Sequence, residues 1–272
     1  MLVKRTVVAL VALPIGLAAI FLGGWVFAAV IALIAGLAAW EYTRLYKQGG
    51  FQPGMLLVVG GAVLLAAGRA WNGFESASWL LSALILATMA YHLLAYERGR
   101  DQAGSDFAIS LSGILYLGWI GAYLISLRQL PGGEWWLLVI LPAVWLADMG
   151  AYFAGSRFGK HKLSPRLSPK KTWEGYLAGI PAAIIGTALL AGLFQTWTGP
   201  GSAITPLRGA LVGLVMGVLT TLGDLGESMI KRQVGVKDSG NLLPGHGGVF
   251  DRIDSWLWGG VIGYYLVVWL FL

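Results

Sequence analysis

Cysteine is absent from the 272-residue chain, which removes disulfides, thiolate metal sites and cysteine nucleophiles from consideration. Charge is scarce: 12% of residues are Asp, Glu, Lys or Arg, about half of what a soluble domain carries. So few charges cannot cover a soluble surface of this size. The low polarity also excludes a disordered chain, whose composition is the opposite. Glycine is plentiful at 40 residues but has no three-residue period, so a collagen-like fibre is excluded. What remains is apolar, at 57% of residues. The composition predicts an all-α polytopic integral membrane protein, with no nucleic acid expected as partner.

Apolar runs of about 17 residues or more are candidate spans. They lie near 6–22, 25–40, 54–71, 79–96, 107–127, 134–155, 175–195, 206–230 and 256–272, predicting about nine transmembrane helices. Only Gly23-Gly24 separates the first two. A signal peptide with Lys4-Arg5 as its basic region competes for residues 1–22, but the next apolar run follows at once. Of the 19 Lys and Arg, all but Arg69, Arg128 and Arg208 fall on the side of the N-terminus. That asymmetry predicts a cytoplasmic N-terminus, and an even number of spans would scramble it. Residues 1–140 read as N-terminal helices, spans one to five. Residues 141–272 read as a catalytic transmembrane region with two long connections, 156–174 and 231–255, both on the basic side. Gly209, Gly213 and Gly217, like Gly259 and Gly263, recur at four-residue spacing. Such stripes let helices approach closely in lipid, and the pattern can also serve a dimer.

An ionised side chain at mid-span costs roughly 2.5–3.5 kcal/mol on insertion scales. Asp148, Asp224 and Glu227 nevertheless sit inside or at the ends of spans, all toward the cytoplasmic side. Asp251 and Asp254 come just before the ninth span, on that same side. At about 100° per residue, Asp224 and Glu227 share the stripe of Gly209, Gly213 and Gly217. They are therefore expected to face protein. Asp148 shares a face with Ala151, Tyr152 and Gly155, where it could equally be a structural partner of a buried hydroxyl or Arg.

The longer connection mixes Lys231, Arg232, Lys237 and Arg252 with Asp238, Asp251, Asp254 and a run of glycines that includes Gly247 and Gly248. Glycines let backbone N–H groups approach anions, and Lys and Arg favour phosphate oxygens. Acids among such cations suit a phosphate site when a divalent metal lies between them. Mg²⁺ takes one or two carboxylates together with substrate phosphates. The shorter connection carries Lys160, Lys162, Lys170, Lys171 and Thr172. Its plainer reading is an anchor on anionic lipid. Lys170-Lys171-Thr172 lacks the preceding glycines of a P-loop, and no kinase-type glycine loop or dinucleotide fingerprint occurs. His92 reads as an ordinary span residue, whereas His246 sits in the glycine turn.

The stretch from Ser228 to Asp254 resembles the signature of the phosphatidate cytidylyltransferases. It does so through Ser228, Lys231-Arg232, Lys237-Asp238, His246-Gly247-Gly248, Asp251-Arg252 and Asp254. The segment from Asp148 to Gly175 resembles the same family, through Gly150-Ala151-Tyr152, Gly159-Lys160 and Ser168 to Gly175. Met149 stands where Ser or Thr is expected. The first 140 residues share only their hydrophobicity. The resemblance implies transfer of CMP from CTP to phosphatidate, giving CDP-diacylglycerol and pyrophosphate. It also implies Mg²⁺, with K⁺ as an accompanying ion, a homodimer, and Asp224 and Asp251 as metal ligands. Lys231, Arg232, Lys237 and Arg252 are then expected to neutralise the triphosphate, and Lys170 and Lys171 to hold the lipid headgroup. Asp148, Thr172, Ser228, Asp238, His246, Gly247, Gly248 and Asp254 complete the expected substrate site. A CTP-dependent lipid kinase of the polyprenol type is the alternative, distinguished by releasing CDP. The spaced acidic array of a phosphatidyltransferase is missing. A transporter would place acids near mid-bilayer in repeated halves. Compactness and the lack of a targeting extension point to a bacterial inner membrane, with the site facing the cytoplasm.

Overall fold

The computed structural model describes residues 2–242, 245 and 247–272, and for residues 2–5 and 7–9 the backbone path only. The helices are α1 Leu2–Leu22, α2 Gly24–Gln48, α3 Met55–Asn72, α4 Ala77–Glu97, α5 Ala103–Gly113, α6 Tyr123–Gln129, α7 Gly133–Phe158, α8 Trp173–Thr198, α9 Pro206–Leu219, α10 Thr221–Gln233 and α11 Phe250–Leu270. A π-helical turn, Ile114–Trp119, lies between α5 and α6. Among the described residues, eight helical segments are long and apolar enough to cross a membrane, and Leu10–Leu22 in α1 is a shorter apolar stretch. Their order and limits follow the apolar runs of the sequence. Leu56, Leu86, Leu189 and Trp269 are exposed, as lipid-facing side chains should be.

Three features depart from a plain set of helices. The chain between α7 and α8 forms an antiparallel hairpin, β1 Lys162–Ser164 with β2 Ser168–Thr172, in which Lys162 faces Thr172. The eighth span is broken at Thr220, whose hydroxyl donates to the Met216 carbonyl at 2.6 Å. The last helix begins at Phe250, so Asp251 lies in its first turn and Asp254 one turn on. The apolar run alone places both acids before the span.

The chain divides into two compact units. One comprises Met1–Gln129 and Ile230–Ile253, the other Leu130–Met229 and Asp254–Leu272. Here the segment 230–253 belongs with the N-terminal helices.

In the first unit, Gly23 and Gly24 both have positive φ, 63° and 49°, a backbone that glycine adopts at little cost. They separate α1 from α2 where the apolar composition alone runs on. Arg128 donates from Nε to the Ile20 carbonyl at 2.5 Å, satisfying an acceptor at the end of α1. α2 packs on α3, and Tyr42 in α2 donates to the Ile109 carbonyl at 3.0 Å. Arg100 pairs with the buried Asp106 at 2.7 Å, and that hydrogen bond holds the guanidinium above its ordinary pKa.

In the second unit, α7, α8 and α9 are drawn together by small residues. A Cβ at Gly179 would meet the Ala147 carbonyl oxygen at 2.6 Å, and one at Gly209 the Thr187 carbonyl oxygen at 2.5 Å. The Gly209–Gly213–Gly217 stripe thus packs within the bundle, against α8. Gly263 packs on Ile140 in the same way.

Candidate active site

Within the second unit a cavity of about 520 Å³ opens beside the hairpin. Asp148, Tyr152, Lys170, Lys171, Thr172 and Thr221 are among its lining residues. Local chemistry explains the arrangement. Thr172 ends β2 and caps α8, its Oγ1 accepting the Gly175 N–H at 3.2 Å, one of the donors that a helix start leaves without a partner. The strand brings Lys170 and Lys171 to the cavity just before that cap. Gly155 and Gly175 leave no room for side chains around Thr172, which keeps α7 and its Asp148 close.

Lys171 reaches from the cavity to Asp224, Nζ to Oδ2, at 2.5 Å. Ser228 donates to the other oxygen of Asp224 at 3.3 Å. The break at Thr220 sets Asp224 in the first turn of α10, where the helix dipole favours a carboxylate. α10 then lies against the start of α11: a Cβ at Gly223 would meet the Asp254 carbonyl oxygen at 2.7 Å. This approach gathers Asp224, Glu227 and Asp254, whose ligand atoms all lie within 4.8 Å of one another. Glu227 is only 2% exposed. Three hard oxygen donors converging in this way match what Mg²⁺ binds.

The motif loop of the first unit has its own organisation. Asp251 accepts from Lys231 Nζ at 2.7 Å, from the Ser239 N–H at 3.0 Å and from the Gly248 N–H at 2.9 Å. Gly247 takes φ of 86°, which lets the chain turn back toward the helix. Arg232 donates to the Val236 carbonyl at 3.1 Å. Arg232, Lys237, Asp238 and Arg252 are exposed. His246 lies outside the described residues.

Of the expected residues, Asp148, Lys170, Lys171, Thr172, Asp224, Ser228 and Asp254 thus fall in the second unit. Lys231, Arg232, Lys237, Asp238, Gly247, Gly248, Asp251 and Arg252 fall in the first. Of the two carboxylates expected as metal ligands, Asp224 lies in the acidic group and Asp251 is engaged by Lys231 and two backbone N–H donors. Two buried acids were passed over. Glu41 and Asp106 are 1% and 0% exposed, yet each adjoins a predicted span by a single residue. A signal existed in each case, an acid abutting an apolar run.

A family model described as the cytidylyltransferase family matches residues 3–270 of the chain. A phosphatidate cytidylyltransferase of Synechocystis sp. is 36% identical over 298 aligned residues, covering 98% of this chain and 97% of that protein. One of Pseudomonas aeruginosa is 41% identical over 261 residues, covering 94% and 93%. One of Mycobacterium bovis is 31% identical over 266 residues, covering 91% and 80%. Similarity therefore runs through the N-terminal helices as well, beyond the motifs of the second half.

Proposed function

We propose the following reaction because the chain belongs to the cytidylyltransferase family: it transfers CMP from CTP to phosphatidate, giving CDP-diacylglycerol and pyrophosphate. Relatives of that name align over almost the whole chain, and no observation favours γ-phosphate transfer. The structural feature that supports the reading best is the cavity lined by Asp148, Lys170 and Lys171, with Lys171 bonded to the acidic group.

The nucleophile is a phosphate oxygen of the lipid. A phosphate monoester has a second pKa near 6, so it is largely dianionic at neutral pH and needs no strong base. A bond forms from that oxygen to the α-phosphorus of CTP, and the bond from the α-phosphorus to the pyrophosphate oxygen breaks. The obstacle is repulsion between two anions. Lys170 and Lys171 hold the headgroup phosphate in the cavity. Lys231, Arg232, Lys237 and Arg252 neutralise the triphosphate and the departing pyrophosphate. Asp224, Glu227 and Asp254 provide the donor set for Mg²⁺, which when bound supplies positive charge to the nucleotide phosphates. Asp251, the other carboxylate expected as a ligand, accepts a hydrogen bond from Lys231 Nζ. The resemblance adds K⁺ and a homodimer to the reading. The strong Lys and Arg asymmetry supports a cytoplasmic reaction face, and the bacterial relatives support a bacterial membrane.

Purified protein incubated with labelled CTP and phosphatidate, with and without Mg²⁺, tests this. Label in an extracted CDP-lipid, with pyrophosphate released in equal amount, is the expected result. Release of CDP with a phosphorylated lipid would establish the kinase instead.

A further inference from the structure

The motif loop is held by a carboxylate from far away in the chain. Glu41 in α2 precedes Ser239 by 198 residues. Its Oε2 accepts the Phe250 N–H at 2.8 Å and the Ser239 hydroxyl at 3.3 Å. A Cβ at Gly240 would meet Glu41 Oε1 at 2.5 Å, and one at Gly248 would meet Oε2 at 2.5 Å. The carboxylate fills the space that side chains at both positions would need, which explains two glycines of the loop. Asp251 grips the same neck, through the N–H groups of Ser239 and Gly248. Ser239 is therefore clamped twice, by its hydroxyl to Glu41 and by its N–H to Asp251.

Burying a carboxylate in an apolar helix is unfavourable unless donors surround it. Among the described residues, the donors to Oε2 come from Ser239 and from Phe250 at the start of α11, while the buried Oε1 meets no donor. Lys231 is tied into the same arrangement through Asp251. We propose that Glu41 is a positioning residue for the nucleotide: it ties Ser239 to Phe250, so that Lys231 and Arg252 meet the triphosphate in one arrangement. This inference rests on the nucleotide reading of the loop given above.

The test uses the full-length protein as wild type, Glu41→Ala, Glu41→Gln, Gly240→Ala and the Glu41→Ala/Gly240→Ala double variant. Hydrogen exchange of peptides covering 239–250 reports closure without any reaction. Steady-state kinetics give KM for CTP and for phosphatidate separately. Glu41→Ala is expected to speed exchange by about tenfold or more. It should raise KM for CTP by about tenfold, with KM for phosphatidate moving by less than about twofold. Glu41→Gln keeps an oxygen acceptor and the volume, and should stay within about threefold of wild type. Gly240→Ala should resemble Glu41→Ala, and the second substitution should add little to the first, because both act on one contact. If Glu41→Ala does not fold, Ser239→Ala removes one donor and gives the same readouts on a smaller scale. Unchanged exchange, faster exchange with KM for CTP unaltered, or equal loss toward both substrates each overturns the positioning role. A wild-type protein that makes no CDP-lipid would sink the reaction reading, and the exchange arm would still judge the clamp.

Discussion

Five acidic residues of this chain occupy two kinds of environment. Asp224, Glu227 and Asp254 face one another across less than 5 Å, with one lysine bonded to Asp224. Like charges held this close are unfavourable without a cation between them. Asp251 and the Oε2 of Glu41 accept hydrogen bonds from the segment that runs from Lys231 to Phe250. The two groups should respond differently to substitution. Asp224→Asn and Asp254→Asn are expected to raise the Mg²⁺ concentration for half-maximal activity by about tenfold to a hundredfold, read from Mg²⁺ titrations at saturating CTP. Asp251→Asn removes the charge that fixes Lys231. It should cut turnover severely while the protein still inserts and folds, and leave the Mg²⁺ midpoint near the wild-type value. A large shift of that midpoint would show Asp251 to be a ligand of the ion, as the resemblance implies.

At the level of elements, small residues decide which helices become neighbours. A Cβ at Gly213 would run into the Ala183 carbonyl oxygen at 2.5 Å and into the Thr187 hydroxyl. Backbone cannot give way cheaply, so Gly213→Ala should destabilise the protein by about 1–3 kcal/mol, seen as a lower unfolding midpoint in detergent. Gly201→Ala, at a site with open space around it, should leave the midpoint unchanged. The hairpin adds a different dependence. Thr172 joins the strand carrying Lys170 and Lys171 to α8 through its cap. Thr172→Ala should cost about 1 kcal/mol and raise KM for phosphatidate, whereas Thr172→Ser, which retains the acceptor oxygen, should do neither. The same measurements on both variants separate a lost cap from a lost methyl group.

For the whole molecule, orientation in the membrane follows from the distribution of Lys and Arg. The lack of cysteine makes this directly testable, since a single introduced thiol has no background. Arg166→Cys, on the hairpin turn, should react with an impermeant maleimide only from the cytoplasmic side. Gly201→Cys, between α8 and α9, should react only from the opposite side, and the reverse pattern would invert the topology. Apolar runs announce spans wherever the helices later pack, because partition into lipid depends on local composition. The order of the helical segments, and the motifs at their ends, were therefore legible from the residues alone. The break at Thr220 and the hairpin were not, because both depend on contacts that apolar composition does not encode. Glu41 and Asp106 escaped notice for a related reason: an acid beside an apolar run looks like an interfacial charge until the segment it meets is known. Composition and spacing determined that this is a helical membrane protein with acids and cations gathered at the ends of its spans. Only the tertiary structure decided which acids share a site and which hold a loop, because close packing of glycine faces, and not distance along the chain, selects the neighbours.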